Sequence, residues 1–223
     1  MLASQLSWYI HLPILWAKML TMLLAGLLLA SLLALQGVNI MSKPICTVMV
    51  GLPATGKSTL VESQREIYDA IDMDVFVYST DRYIEDTAQH FGKTYNEMFK
   101  DNIKGATAAM EQLLSEAIEK GSDIIWDQTN LGAKKRKKII NRMKQAGYQV
   151  RCECIMPPEP AHISDQKDWK YRLENRPGKN IPQNILTNMA GSYILPTLEE
   201  GFDMITFYNM HGALLGVDLG ETR

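Results

Sequence analysis

Short apolar runs bounded by turn residues recur along the chain at Ile45–Val50, Val75–Ser79, Asp123–Trp126, Gln149–Met156 and Met204–Tyr208. Between them, apolar positions at helical spacing predict helices over Lys57–Tyr68, Gly105–Glu119, Ala133–Ala146 and Ile185–Thr197, the last carrying Pro196 near its end. Strands that alternate with helices predict a parallel sheet covered on both faces, so the fold class expected is α/β with about five strands. The proline-rich stretch Met156–His162 reads as a surface loop after a strand, and no repeat or low-complexity tract interrupts the order.

Upstream lies a different pattern. Met19–Leu35 is an uncharged apolar run close to the roughly 20 residues that a spanning helix requires, with further apolar residues from Ile14 interrupted by Lys18. Three readings are open: a membrane anchor, a signal peptide, or translated sequence upstream of a start at Met41. An anchor within residues 14–35 would leave the rest in the cytoplasm, where Lys43 and later basic residues favour it. A positive cluster before the run, which a signal peptide would carry, is missing. Residues 1–40 are therefore set apart as a hydrophobic segment and 41–223 as one domain.

Composition narrows the picture. With 223 residues and 46% hydrophobic content the chain can bury a full core. A formal net charge of -2 supplies no global basic field for nucleic acid, so any such contact must be local. The three cysteines, Cys46, Cys152 and Cys154, fall in strand-like stretches with no second ligand cluster, which predicts free buried thiols and a reducing, cytoplasmic setting.

GLPATGKST, Gly51–Thr59, satisfies the pattern GxxxxGK[ST], with an apolar strand before it and a helix after it. This is the phosphate loop of the P-loop NTPase fold. Its glycines let backbone N–H groups turn toward phosphate oxygens, and the following helix adds its positive end. Gly51, Pro53, Thr55, Gly56, Lys57, Ser58 and Thr59 are the candidates for holding ATP, with Lys57 on the β- and γ-phosphates and the Ser58 hydroxyl on Mg²⁺.

What receives the phosphate depends on other segments. Asp81 follows VFVYS and should lie at the carboxyl end of the second strand, where a carboxylate can take the proton of an acceptor hydroxyl; it can equally cap a helix. Asp127 should end the third strand, placed to act through Mg²⁺, while Thr129 and Asn130 follow as cap or substrate contacts. In YRLENRPGKNIP, Arg172 and Arg176 are four residues apart on one expected helical face, as in a lid that neutralises charge in transfer.

GLPATGKST, TDRY, WDQTNL and YRLENR followed by IPQNIL and a methionine occur in this order, and from about Ile45 to about Tyr193 the chain resembles the kinase domain of phage polynucleotide 5′-kinases. The resemblance implies an ATP- and Mg²⁺-dependent kinase acting on the 5′-hydroxyl of DNA or RNA. It implies Asp81 as general base, Lys57 and Ser58 on the phosphates and Mg²⁺, and Arg176 on the transferring phosphoryl group. It further implies Arg172 as an ATP contact and Asp127 as an active-site carboxylate. The chain departs from that pattern at Ile84, where those kinases usually carry an arginine for the acceptor's phosphate, leaving Arg82 as the nearest basic candidate. A D-x-D-G-T phosphatase run is also lacking, so 3′-phosphatase activity is not expected.

Lys134, Lys135, Arg136, Lys137 and Lys138 crowd the start of the helix after WDQTNL. They read either as a solvated face or as a track for a single-stranded 5′ end, with Tyr83, Tyr95 and Trp169 as aromatics for base stacking. Two rivals to the polynucleotide kinase stay open: a P-loop kinase for a small hydroxyl compound such as a nucleoside, sugar or antibiotic, and a membrane-tethered ATP-binding protein. A loop near Asn209–His211 is the candidate for adenine.

Overall fold

In a computed structural model that describes residues 43–159, 161–176 and 179–220, the first apolar run forms strand β1, Ile45–Val50. Cys46, Val48, Met49 and Val50 are fully buried, so both faces of this strand are covered. That is why the run is continuously apolar rather than alternating. The chain continues through α1 (Lys57–Ala70), β2 (Val75–Tyr78), α2 (Thr80–His90), α3 (Tyr95–Lys120), β3 (Asp123–Trp126), α4 (Ala133–Gln145) and β4 (Gln149–Ile155). It ends with α5 (Ile163–Glu174), α6 (Gln183–Gly191), a single 3₁₀ turn (Leu198–Glu200), β5 (Met204–Tyr208) and β6 (Leu214–Leu219). The hydrophobic segment 1–40, including Met19–Leu35, lies outside the described residues; among those described, no helix is long and apolar enough to cross a membrane.

The six strands are ordered β2-β3-β1-β4-β5-β6. The first five run parallel, with Val48 opposite both Trp126 and Cys152, and β6 turns back antiparallel on β5. The expected sheet of about five parallel strands is therefore extended by one antiparallel edge strand. Its leucines Leu214, Leu215 and Leu219 stay exposed, so it carries none of the burial that marks the other strands.

One face of the sheet packs Val48, Val50, Trp126 and Ile205 against Met110 and Leu114 of α3 and Ile139, Ile140 and Met143 of α4. The other packs Met49 and Ile125 against Val61 of α1. A satellite core joins Ile84 and Ala88 of α2 to Met98 and Ala106 of α3. Cys46, Cys152 and Cys154 are buried and free, and burial pushes all three thiols up, away from reactive thiolate.

Several helices depart from expectation. α3 starts ten residues before Gly105, at a reciprocal cap in which Thr94 and Glu97 satisfy each other's backbone N–H. Asp81 is expected at the end of the second strand or as a helix cap; Ser79 is the cap of α2, accepting from Arg82 N, and Asp81 sits in the first turn of that helix. α6 begins after Pro182 and stops at Gly191, well before Thr197. α5 ends at Glu174, so Arg172 lies in its last turn while Arg176 lies beyond it; the two do not share a helical face.

Arg136 is the clearest correction within the basic helix. Its side chain is not exposed at all: the guanidinium forms a two-pronged pair with Glu200 and donates to the carbonyls of Asn130 and Leu131, at 3.0 and 2.7 Å. Arg136→Met should therefore strand the Glu200 carboxylate, itself only 6% exposed, and destabilise the fold by about 3–5 kcal/mol in urea unfolding. Arg136→Met combined with Glu200→Leu should lose markedly less; equal losses in the single and double variants would remove the pair from this role.

Candidate active site

The P-loop leaves β1 at Gly51 and enters α1 at Lys57. A Cβ on Gly51 would come within 3.0 Å of Thr55 Oγ1 and 3.1 Å of the Ile155 carbonyl, so only glycine fits this close approach. Gly56 is left-handed, with φ 107°, and Ala54 adopts φ 61°, a conformation that ordinary residues avoid. Thr55 Oγ1 donates to the Leu52 carbonyl at 2.8 Å, and Lys57 Nζ folds back onto the carbonyls of Gly51 and Leu52 at 2.8 and 2.7 Å. Ser58 and Thr59 face outward at the start of α1.

Three strand ends converge on this loop. The Gly51 N–H donates to Thr129 O, tying the loop to the turn after β3, and Asp127 N donates to Tyr78 O at the end of β2. Ser79 Oγ donates to Asp127 Oδ2 at 3.2 Å, so the residue that caps α2 also orients the β3 carboxylate. Asn130 is fully buried with φ 45°, and its amide donates to Met49 O at 2.8 Å, as well as to Trp126 O and Gln128 O. Asn130, read as a helix cap or a substrate contact, is in this structure an internal pin that ties the ends of β1 and β3 together.

The result is a cluster of opposed charges. Burial pulls the Lys57 ammonium down to about 8; Asp127 and Asp81 oppose this, while Arg176 and Lys179 add to it. Burial pushes the Asp127 carboxyl up, and Lys57 and the Ser79 hydroxyl pull against that. Partial desolvation raises Asp81 as well, but the charge and hydrogen bond of Lys179, the Tyr95 hydroxyl and Arg176 bring it below the usual carboxylate range. Asp81 Oδ1 accepts from Tyr95 at 2.8 Å and Oδ2 from Lys179 at 2.9 Å. Sequence reasoning found Asp81 and missed Lys179; the usable signal was the carboxylate pair Asp81 and Glu85, one helical turn apart and in need of a cation between them.

Arg172 and Trp169 brace α5 against the loop. Trp169 Nε1 donates to Pro53 O at 2.8 Å, and Arg172 donates to Met210 O at 3.0 Å while pairing with Asp168 at 2.7 Å. Met210 O lies 3.5 Å from where a Gly56 Cβ would stand, so the β5–β6 turn, containing Asn209–His211, adjoins the P-loop. Arg172 spends its guanidinium on the protein in this arrangement. Arg82 points to Glu62 at 3.4 Å, and Ile84 is fully buried, so neither presents a free charge near Asp81. Of the lysines crowding α4, Lys135 lies within the field of Asp81, although burial lowers its ammonium.

Mg²⁺ would find oxygen donors suited to it in Asp127 and Ser58. Burial pushes the Asp127 carboxyl up, a divalent ion beside it would favour the charged form again, and the exposed Ser58 hydroxyl stands next to Lys57. Among the described residues no group of three His, Cys, Asp or Glu is placed to hold a metal ion.

The chain is 26% identical over 157 residues to the bifunctional polynucleotide phosphatase/kinase of Schizosaccharomyces pombe, covering 70% of this chain and 31% of that protein. It is 22% identical over 157 residues to the L-seryl-tRNA(Sec) kinase of Methanococcus maripaludis, covering 70% of this chain and 55% of that one. The chain thus spans less than two thirds of the length of these relatives. A structure from the PezAT chromosomal toxin-antitoxin system of Streptococcus pneumoniae superposes with a TM-score of 0.54 at 18% identity, over 79% of this chain and 71% of that one, which speaks for the fold alone. A family model described as an AAA domain matches residues 47–193, the span from β1 to just beyond α6 that holds the P-loop, Asp81, Asp127 and both arginines, and the chain belongs to that family of P-loop proteins.

Proposed function

We propose that the protein transfers the γ-phosphate of ATP to a hydroxyl group, with the 5′-hydroxyl end of DNA or RNA as acceptor. The observation that carries this reading is Asp81: an anionic carboxylate, about half open to solvent, held within the field of the P-loop lysine and Arg176. A protein that only bound a nucleotide has no need of a fixed base beside the phosphate loop.

In the transfer, Asp81 takes the proton of the acceptor hydroxyl as its oxygen bonds to the γ-phosphorus, and the bond to the bridging oxygen breaks to release ADP. Lys57 leaves the Gly51 and Leu52 carbonyls for the phosphate oxygens, and backbone N–H groups of Thr55–Ser58 cradle them. Arg176 neutralises charge that spreads over the moving phosphoryl group. Ser58 and Asp127 would hold Mg²⁺, which when bound supplies charge neutralisation on the phosphates. The polynucleotide acceptor is supported by the motif order and by the similarity to the polynucleotide phosphatase/kinase of Schizosaccharomyces pombe.

A second reading, a small hydroxyl compound as acceptor, is favoured by one observation. The α2 position at which the resembling kinases carry an arginine is the buried, apolar Ile84, and Arg82, the nearest basic residue, pairs with Glu62.

The full chain with Mg²⁺ and γ-labelled ATP should label a 5′-hydroxyl oligonucleotide, and Asp81→Asn should reduce the label about 10²- to 10⁴-fold while leaving ATP binding intact. Label confined to nucleosides or sugars would shift the proposal to the second reading, and undiminished label in Asp81→Asn would remove the base. Arg176→Ala should lower kcat by at least about 10³-fold with little change in ATP affinity, measured by single-turnover kinetics.

A further inference from the structure

We propose that Lys179 is a positioning residue for the transfer: bridging Asp81 and Glu85 against the Tyr95 ring, it fixes the acceptor-side carboxylate and ties it to the segment that carries Arg176. The proposal rests on the reading of Asp81 as general base.

Lys179 is only 9% exposed although it lies in a loop between α5 and α6. Its Nζ lies 2.9 Å from Asp81 Oδ2 and 2.8 Å from Glu85 Oε1, and 4.0 Å from the centre of the Tyr95 ring. An ammonium has three N–H donors. Two go to carboxylates and the third is left facing the aromatic ring, so none remains for a substrate phosphate. That geometry separates Lys179 from Lys57: one is shaped to hold the protein, the other to hold a ligand.

The two carboxylates need this cation. Asp81 and Glu85 are one turn apart on α2, where like charges repel. Without Lys179 the Asp81 side chain would keep, among the described residues, only the Tyr95 hydroxyl as a hydrogen-bond partner and would be free to turn away from Glu85. With it, both Asp81 oxygens are engaged from fixed directions, while 53% of the side-chain surface stays open. Lys179 follows Arg176 by three residues, and its backbone N–H donates to the Arg176 carbonyl, so the bridge and Arg176 belong to one segment.

The groups bearing on Asp81 are Lys179, Arg176, Lys57 and Lys135 as cations, Glu85 and Asp127 as anions, and the Tyr95 hydroxyl. Lys179 holds Asp81 in its charged, proton-accepting form, so its loss raises the carboxyl and moves the acidic limb of kcat to higher pH.

The test uses the full chain carrying ¹³C-carboxyl aspartate, with the Asp81 signal identified by its loss in Asp81→Asn. Lys179→Met should shift the Asp81 titration midpoint and the acidic limb of kcat upward together and lower kcat about 10- to 100-fold, with KM for ATP within about twofold. Lys179→Arg should restore most of the rate, and Glu85→Gln should move the midpoint in the opposite direction. An Asp81 midpoint unmoved in both Lys179→Met and Glu85→Gln would overturn the proposal, as would a kcat loss in Lys179→Met that the pH profile does not follow. Failure of the base reading is distinguishable: Asp81→Asn would then keep transferring phosphate while the carboxyl titration still responded to Lys179.

Discussion

A buried ammonium must be surrounded by carbonyl oxygens and anions or give up its proton, and Lys57 imposes that demand on everything around it. Its partners at rest are two carbonyls of its own loop, with the fields of Asp127 and Asp81 beyond them. Those partners come from the ends of three parallel strands, and the order β2-β3-β1 is what brings β2's exit, β3's exit and the loop to one edge of the sheet. Binding is prepared in the same way: the carbonyls that hold Lys57 are weaker partners than phosphate, so an incoming nucleotide can take the lysine from them.

Holding the edge together falls to polar side chains bonded within the protein. Asn130 pins the ends of β1 and β3, and Arg136 grips the carbonyls of Asn130 and Leu131 while Glu200 balances its charge. On the opposite side, Trp169 and Arg172 fasten α5 to the P-loop and to the β5–β6 turn. Each contact leaves Asp81, Asp127 and Lys57 less room to move, and pre-placed charge is what lowers a phosphoryl-transfer barrier.

What could be read from sequence was local. The P-loop, the ends of β1, β3 and β5, and Asp81 and Asp127 follow from short patterns whose physics is complete within a few residues. The start of α3 was also local, in the spacing of Thr94 and Glu97, but the helical pattern reaches back only to Gly105, a residue that the packed helix carries in its interior. Other features depend on partners far along the chain. Arg136 looks like one of five surface charges until Glu200, 64 residues later, closes over it. Lys179 meets Asp81 across 98 residues, and the separation of Arg172 from Arg176 depends on where α5 stops. β6 escaped notice because an edge strand with both faces exposed shows neither a buried run nor a clean alternation.

The charge balance at Lys57 can be measured without knowing the acceptor. Titrating the full chain with Mg·ATP at pH 8, in buffers of different ionisation enthalpy, reports the protons exchanged on binding. A lysine titrating at about 8 in the free protein should be fully protonated against phosphate, giving uptake of about half a proton, absent in Lys57→Met. Nucleotide binding with no Lys57-dependent uptake would contradict the account, since the loop would then hold its lysine fully charged before any phosphate arrived.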